Sequence, residues 1–261
     1  MRPPQSRVER RTLQRTLRES YRSLRRTGLG LPVSLTQLLS LSLFAKDCLE
    51  QRGGSPDMAE LYSIFDAGHD DAQKNVPIAC RKGCNFCCHI AVSATIVEID
   101  MIARHVKSTW SAAAIEALVA RIETTFRMNV DDRMAKRVPC PFLVEGSCSI
   151  YAVRPFACRR QVSIDASLCE KALDGDDANF PFIKSVGQHG ANVRVATAAA
   201  AKACGIDYTA YELTSAMRKF LQGAIDIRRF DRRKDFGDEV LADEMPRELH
   251  KQVDIFVEFV K

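Results

Sequence analysis

The chain has 261 residues, of which 46% are hydrophobic and 27% are charged. This is ordinary globular composition with enough apolar residues for a sizeable core, and it excludes a largely disordered chain. The net charge of +5 is uneven: residues 1–28 hold nine arginines and two glutamates, a net charge of +7, so the remainder carries −2. A fold that is basic over its whole surface is therefore excluded.

The cellular context decides how the ten cysteines are interpreted. No segment reaches the roughly 20 apolar residues that cross a bilayer, and the best candidate, 31–45, is interrupted by polar residues. No secretory signal is recognisable, so we expect a cytoplasmic protein. Disulfides do not persist in a reducing compartment, and clustered cysteines there indicate metal binding or catalysis. Disulfides and inert buried thiols are the alternatives.

The first predicted element is a basic amphipathic helix or tail at residues 1–30. Its helical part covers 5–26, where Leu13, Leu17 and Leu24 recur on one side and arginines recur on the other. An acidic partner, such as nucleic acid, anionic lipid or protein, is one interpretation of the arginine face. A solvated helix or a partly disordered tail is the other.

Residues 31–261 are predicted to form a single helical domain, with a cysteine-cluster module at about 78–172. The fold class is mostly α, with this irregular cysteine-rich metal-binding module in the middle, because apolar residues recur with helical periodicity and few strands are evident. Gly and Pro clusters predict turns at 27–30 and 53–56. A loop is predicted from Cys140 to Cys148, one helical turn ending near Pro155 within 149–158, and a polar loop at 172–180. Helices are predicted at 33–50, 57–66, 95–107, 111–128, 183–203, 209–227 and 246–260.

Eight of the ten cysteines lie in one third of the chain. A short spacing such as that of Cys84 and Cys87 lets one turn direct two sulfurs at one point, and a distant pair completes a tetrahedron. Gly83 permits the sharp backbone that such a turn needs. Zinc and an iron–sulfur cluster are both compatible with this pattern. The predicted metal ligands are Cys80, Cys84, Cys87, Cys88, Cys140, Cys148, Cys158 and Cys169.

The adjacent pair Cys87 and Cys88 bears on the number of metals. Neighbouring side chains usually diverge, so either one of the two does not ligate or the pair serves two metals or a cluster. Eight cysteines make two four-sulfur sites, or one cluster with spare thiols. We expect the nearby positive charges of Arg81, Lys82 and Arg159 to favour the thiolate form.

Other candidate residues have simpler interpretations. Cys48 and Cys204 are isolated on predicted helices, and we expect them in the core. His89 is next to the cluster, where a structural role is expected more often than ligation. The acidic run 174–177 lacks a glutamate at the twelfth position of a calcium loop, which is Ser185, and is interpreted as a solvated turn.

The cysteine pattern resembles the bacterial YkgJ-like family, also called the CxxCxxCC or zinc- or iron-chelating domain family, over roughly residues 78–172. The resemblance implies metal binding. A related group, the flagellin lysine N-methylases, is thought to use a cluster and S-adenosylmethionine, which implies a cluster-dependent transferase as the alternative function. The resemblance rests on Cys80, Cys84, Cys87, Cys88, Cys140, Pro141, Gly146, Cys148, Ile150, Tyr151, Arg154, Pro155, Cys158, Arg159 and Cys169.

A rival motif overlaps the first cysteine block. Cys80, Cys84 and Cys87, with an aromatic residue before the third, have the spacing of radical S-adenosylmethionine enzymes. That motif opens a barrel of alternating strands and helices, whereas helices are predicted downstream here.

Between two predicted ligands, Pro155 fixes the backbone and Arg154 is expected to bond sulfurs or carbonyls. The metal's role, whether structural, metal-handling, redox or enzymatic, stays open.

Overall fold

The computed structural model describes residues 2–27, 33–50, 59–72, 74, 76–81, 83–126, 128, 130–175, 183–223, 225–240, 242–243 and 245–261. The fold is mostly α, as predicted. The α-helices are α1 (Arg7–Thr27), α2 (Leu35–Glu50), α3 (Ala59–Ala72), α4 (Ile96–Thr109), α5 (Ala112–Phe126), α6 (Val130–Ala135), α7 (Phe156–Arg159), α8 (Ala166–Leu173), α9 (Lys184–Ala203), α10 (Leu213–Gln222), α11 (Arg232–Asp235) and α12 (Arg247–Val260). Short 3-10 helices lie at Phe86–His89, Tyr151–Val153 and Gly237–Glu239. The strands are β1 (Ser93–Thr95), β2 (Leu143–Val144), β3 (Ser147–Cys148), β4 (Ala210–Glu212) and β5 (Ala242–Asp243).

Most predicted helices are confirmed with shifted ends. The third helix, α3, continues past the predicted end at 66 to Ala72. The helix predicted over 209–227 is shorter, because its first residues pair as β4 and α10 then covers only Leu213–Gln222. The predicted turn at 53–56 lies outside the described residues, as do 28–30 of the first predicted turn and 176–180 of the predicted polar loop.

The chain divides into two compact units. The first comprises Met1–Lys74, Lys184–Tyr208 and Glu244–Lys261. Its core is built where the apolar faces of α1, α2, α9 and α12 meet, and it includes Leu17, Leu39 and Val253, all 0% exposed. Burial of such side chains stabilises the unit by about 1.5–3 kcal/mol each.

The second unit comprises Asn75–Ile183 and Thr209–Asp243 and contains all eight clustered cysteines. A three-stranded antiparallel sheet has the order β1–β4–β5, with Ala94 opposite Tyr211 and Ala210 opposite Asp243. The helix α4 follows β1 directly, and its predicted apolar face is confirmed, since Ile96, Ile99, Ile102 and Val106 are each 0% exposed.

One predicted loop contains regular structure. Within the segment from Cys140 to Cys148, β2 and β3 pair antiparallel, with Leu143 opposite Cys148. The turn between them has two residues, Glu145 and Gly146, with φ of +50° and +73°. Positive φ at both central residues gives a turn that matches the twist of the two strands in a tight hairpin. The prediction of a loop over this segment was therefore wrong.

The strands lack the arrangement that the radical S-adenosylmethionine motif requires. Throughout the described residues they are two or three residues long and antiparallel, rather than alternating with helices in a barrel. None of the described helices is both long and apolar enough to span a membrane.

Candidate metal centre

The first cysteine block is shaped by a turn and a short helix. Gly83 adopts φ of +87°, a conformation with little cost for glycine, and the Cys84 N–H donates to the Arg81 carbonyl at 2.9 Å. The following 3-10 helix carries Cys87 and Cys88 and has no buried residue. The sharp backbone predicted at Gly83 is therefore confirmed.

The second block is tied to the first through the backbone. The Cys140 N–H donates to the Cys88 carbonyl at 2.7 Å. From there the chain enters the β2–β3 hairpin, which carries Cys148, and then the single turn of α7, which carries Cys158. The hydrogen bond between the blocks brings together residues that are 52 positions apart.

A third segment adds Cys169 to the site. The Ala79 N–H donates to the Ser163 carbonyl at 2.9 Å, and the Ser163 N–H points back at the Cys80 sulfur at 3.4 Å. Asp165 then caps α8 by accepting from the Ser167 N–H at 2.8 Å. This short helix, which the sequence did not predict, places the Cys169 side chain near Cys84 and Cys87.

The thiols form two neighbouring groups. In the first, Cys80 and Cys169 each lie close enough to Cys84 and Cys87 for their charges to interact. In the second, Cys88 and Cys158 each interact with Cys140 and Cys148. Cys87 adjoins both groups, because it also interacts with Cys88, Cys148 and Cys158.

The structure brings the predicted ligands together without closing them around an ion. Among the described residues, no three or more Cys, His, Asp or Glu side chains are arranged to hold a metal ion. The donor set nevertheless fits zinc or an iron–sulfur cluster chemically, since both take thiolate ligands. The backbone brings the eight cysteines into one small region, and coordination would require the sulfurs to approach further.

The side chains of adjacent Cys87 and Cys88 were expected to diverge, but they interact with each other. The Cys88 thiol donates a hydrogen bond to Cys87, which lowers the pKa of Cys87 to about 7. The same hydrogen bond, together with burial, raises the pKa of Cys88. Because this pKa is close to neutral, Cys87 is readily converted to the thiolate that coordinates a cation.

Burial opposes ionisation of five further thiols. It raises the pKa of Cys140 to about 11, and it also raises the pKa values of Cys80, Cys148, Cys158 and Cys169. These groups are protonated near neutral pH, so metal binding must displace their protons. Metal affinity should therefore weaken as the pH falls.

The positive charge beside the thiols comes mainly from Arg154. Its guanidinium lowers the pKa values of Cys87, Cys148 and Cys158 and lies 4.0 Å from the centre of the Tyr151 ring. Its Nε is buried and has no hydrogen-bond acceptor among the described residues. An unsatisfied buried donor is costly unless something occupies it, and the nearby sulfurs are the available acceptors.

Arg159, one of the residues predicted to favour the thiolate form, bonds to backbone carbonyls in the structure. Arg159 is 5% exposed, and it donates to the Arg154 carbonyl at 2.9 Å and the Ala152 carbonyl at 2.6 Å. It thereby fixes the backbone around α7. Arg81 is exposed, and Lys82 lies outside the described residues.

Two buried carboxylates support the site and were not predicted. Glu98 is 3% exposed, completes the capping box of α4 with Thr95 and accepts from the Phe156 N–H at 2.7 Å. Glu212 pairs with Arg133 at 2.9 Å beside Cys140. The Thr95–Glu98 spacing is a recognisable capping box, but its bond to a residue 58 positions away has no local signal.

The remaining candidates lie apart from the thiol groups or make local bonds. Cys48 belongs to the core of the first unit, as predicted, whereas Cys204 is only half-buried. His89 is close to the Asn85 carbonyl through Nδ1 at 3.2 Å. Asp174 pairs with Arg137 at 2.9 Å, consistent with a polar turn.

The cysteine-rich segment matches a known protein family. Residues 79–177 match the family model CxxCxxCC, described as "Putative zinc- or iron-chelating domain". This segment is similar to the CxxCxxCC domain. The match confirms the resemblance to that family seen over 78–172 and spans all eight clustered cysteines. No curated protein and no solved structure matches the chain.

Proposed function

We propose that the CxxCxxCC domain holds zinc or an iron–sulfur centre through two adjoining four-sulfur groups. The first group is Cys80, Cys84, Cys87 and Cys169. The second is Cys88, Cys140, Cys148 and Cys158. The observation that supports the proposal is the proximity of the thiols within each group, in segments that backbone hydrogen bonds join from Cys140 to Cys88 and from Ala79 to Ser163.

The proposed role is to hold metal and stabilise the domain. The first cysteine block has no buried residue in its 3-10 helix, so apolar burial contributes little to its conformation. In sites of this kind the metal-binding free energy becomes folding free energy. Bound zinc or iron would supply the positive charge around which the sulfurs gather.

Residues around the thiols support this role through charge and position. Thiolates buried together repel one another, and the cost of burying them falls when a cation lies near. Arg154 supplies such a cation, and its buried Nε–H is free to donate to a sulfur. Glu98 and Arg159 hold α7, which carries Cys158, by bonds to Phe156 and to the preceding carbonyls.

Metal stoichiometry in cysteine variants tests the proposal. Cys84→Ser removes a thiolate from the first group and Cys158→Ser removes one from the second. If there are two groups, each variant should lose about half of the bound metal and retain the rest. The measurement is elemental analysis of zinc, iron and sulfide per chain in protein purified without oxygen.

Cys204→Ser is the matched control, because Cys204 lies in the other unit. It should leave the metal content unchanged. Complete loss of metal in both Cys84→Ser and Cys158→Ser would show that the cysteines form one shared centre and not two groups. Unchanged metal content in both would refute the proposal. An iron–sulfur cluster with an iron atom open to S-adenosylmethionine would instead favour the transferase alternative.

A further inference from the structure

The exposed face of α1 carries a continuous stripe of arginines. Successive members are three or four residues apart, which places them within an arc of about 100° at 3.6 residues per turn. From first to last the stripe is about 28 Å long, at 1.5 Å per residue. All of its members are exposed. The arginine stripe consists of Arg7, Arg11, Arg15, Arg18, Arg22 and Arg26.

The opposite face of α1 is already occupied. Leu17 is 0% exposed and Leu24 is 2% exposed, and the Tyr21 ring stacks on Phe44 with centroids 4.0 Å apart. An amphipathic helix that binds a bilayer buries its apolar face in the lipid. Since the apolar face of α1 is buried within its own unit, such insertion would require α1 to leave its core.

Much of the stripe's charge is uncompensated. Arg15 pairs with Glu19 at 3.1 Å and Arg18 pairs with Asp47 at 2.9 Å. Arg7, Arg11, Arg22 and Arg26 make no ion pair within the described part of the chain. Even Arg15 keeps 83% of its side chain exposed, so it can exchange its exposed partner for another anion at little cost.

The stripe lacks the features of a protein-binding surface. Protein interfaces are anchored by buried aromatic and other apolar side chains. Along α1 as described, the exposed large hydrophobic side chain is Val8, at the edge of the arc. A rod of guanidinium groups without apolar anchors instead matches a phosphodiester backbone, which arginine binds with two hydrogen bonds per group.

We infer that the arginine stripe of α1 is a docking surface for the phosphate backbone of nucleic acid. Its length corresponds to about eight base-pair steps at about 3.4 Å each. Contacts to phosphates position a protein without reading sequence, so the binding is sequence-independent and strongly salt-dependent. This inference stands apart from the metal centre, and neither depends on the other.

The test is fluorescence anisotropy of the full chain with labelled single-stranded and duplex DNA and RNA. Four to six phosphate contacts predict that affinity for duplex DNA falls by about 10²–10³-fold between about 50 and 200 mM salt. Neutralising the unpaired arginines should weaken binding and reduce the salt slope by about one per residue. The test variant combines Arg7→Gln, Arg11→Gln, Arg22→Gln and Arg26→Gln.

A charge-matched control separates the stripe from net charge. It removes the same number of exposed positive charges at scattered positions and should keep the wild-type affinity and salt slope. Circular dichroism should show that both variants are folded, because all substituted side chains are exposed. The control variant combines Lys136→Gln, Arg233→Gln, Arg247→Gln and Lys251→Gln.

Several results would overturn the inference. One is the absence of binding to any nucleic acid at low salt, and another is an equal loss of affinity in both variants. Binding to vesicles containing phosphatidylglycerol but not to nucleic acid would assign the stripe to a membrane surface. Equal binding of polyglutamate and nucleic acid would assign it to acidic proteins.

Discussion

Glu98→Ala is expected to destabilise the protein by about 2–4 kcal/mol. The carboxylate accepts the Phe156 N–H at 2.7 Å and the N–H and hydroxyl of Thr95 at 2.9 Å each. A hydrogen bond to a charged group contributes about 1.5–3 kcal/mol, and a helix cap contributes about 1 kcal/mol. Alanine would leave the Phe156 N–H without its acceptor, while removing the cost of burying a charge offsets part of the loss.

Thermal unfolding measures the loss of stability in Glu98→Ala, and chelator competition measures how readily the variant releases metal. A loss of this size should lower Tm by about 5–15 °C in a chain of this length. Because Glu98 also holds α7, which carries Cys158, the variant should release metal to a chelator more readily. Glu98→Gln is the control: it keeps an acceptor for Phe156, so its cost should be nearer about 1–2 kcal/mol.

The pH dependence gives a second readout of the same carboxyl. Burial raises the pKa of Glu98 above its ordinary value of 4.5. The proton-linked part of its contribution to stability is therefore fully present below about pH 4.5 and is lost as the pH rises through the higher folded-state pKa. The hydrogen bonds that the carboxylate accepts from Phe156 and Thr95 are a separate contribution. Relative to Glu98→Gln, which does not titrate, the wild type should gain stability as the pH is lowered toward 4.5.

Comparing the wild type with Glu98→Gln isolates the titration of Glu98, because acid weakens metal binding in both proteins. An alanine variant with unchanged Tm and metal retention would refute the supporting role of Glu98. A difference between wild type and Glu98→Gln that stays constant with pH would refute the raised pKa.

Three further predictions concern the thiol groups and their neighbours. Arg154→Gln should weaken metal affinity by about tenfold and raise the pH at which metal is released, with partial rescue by Arg154→Lys; a chromophoric chelator reports both, and an unchanged release profile would contradict the charge role. Cys140→Ser should lower metal content whereas Cys204→Ser should not, and equal metal content would remove Cys140 from the ligands. Glu212→Ala should cost about 3–5 kcal/mol, because it leaves the buried Arg133 charge without its carboxylate; chemical denaturation measures this, and a cost below about 1 kcal/mol would contradict it.

Periodic and compositional features of the chain could be predicted from sequence. The apolar face of α4 follows from the spacing of its isoleucines, and the turn at Gly83 follows from the unique freedom of glycine. The family resemblance was likewise carried by local spacing. These features depend on residues within one or two turns of one another, so the sequence records them directly.

Features made by distant contacts could not be predicted. The Glu98 bond to Phe156 and the Cys140 bond to Cys88 join residues more than 50 positions apart. The proposed division of the thiols into two groups depends on such bonds, because they join separate segments of the chain. The hairpin was missed because Glu145 adopts a positive φ that is uncommon outside glycine.

Elemental analysis, combined with a visible absorption spectrum of anaerobically purified protein, tests most directly whether the clustered cysteines hold a metal. Stoichiometric zinc in a colourless protein, or iron with sulfide in a brown one, is the predicted result. Removing the metal should then lower Tm. A protein that carries neither zinc nor iron, and whose melting is unchanged by added metal, would contradict the account.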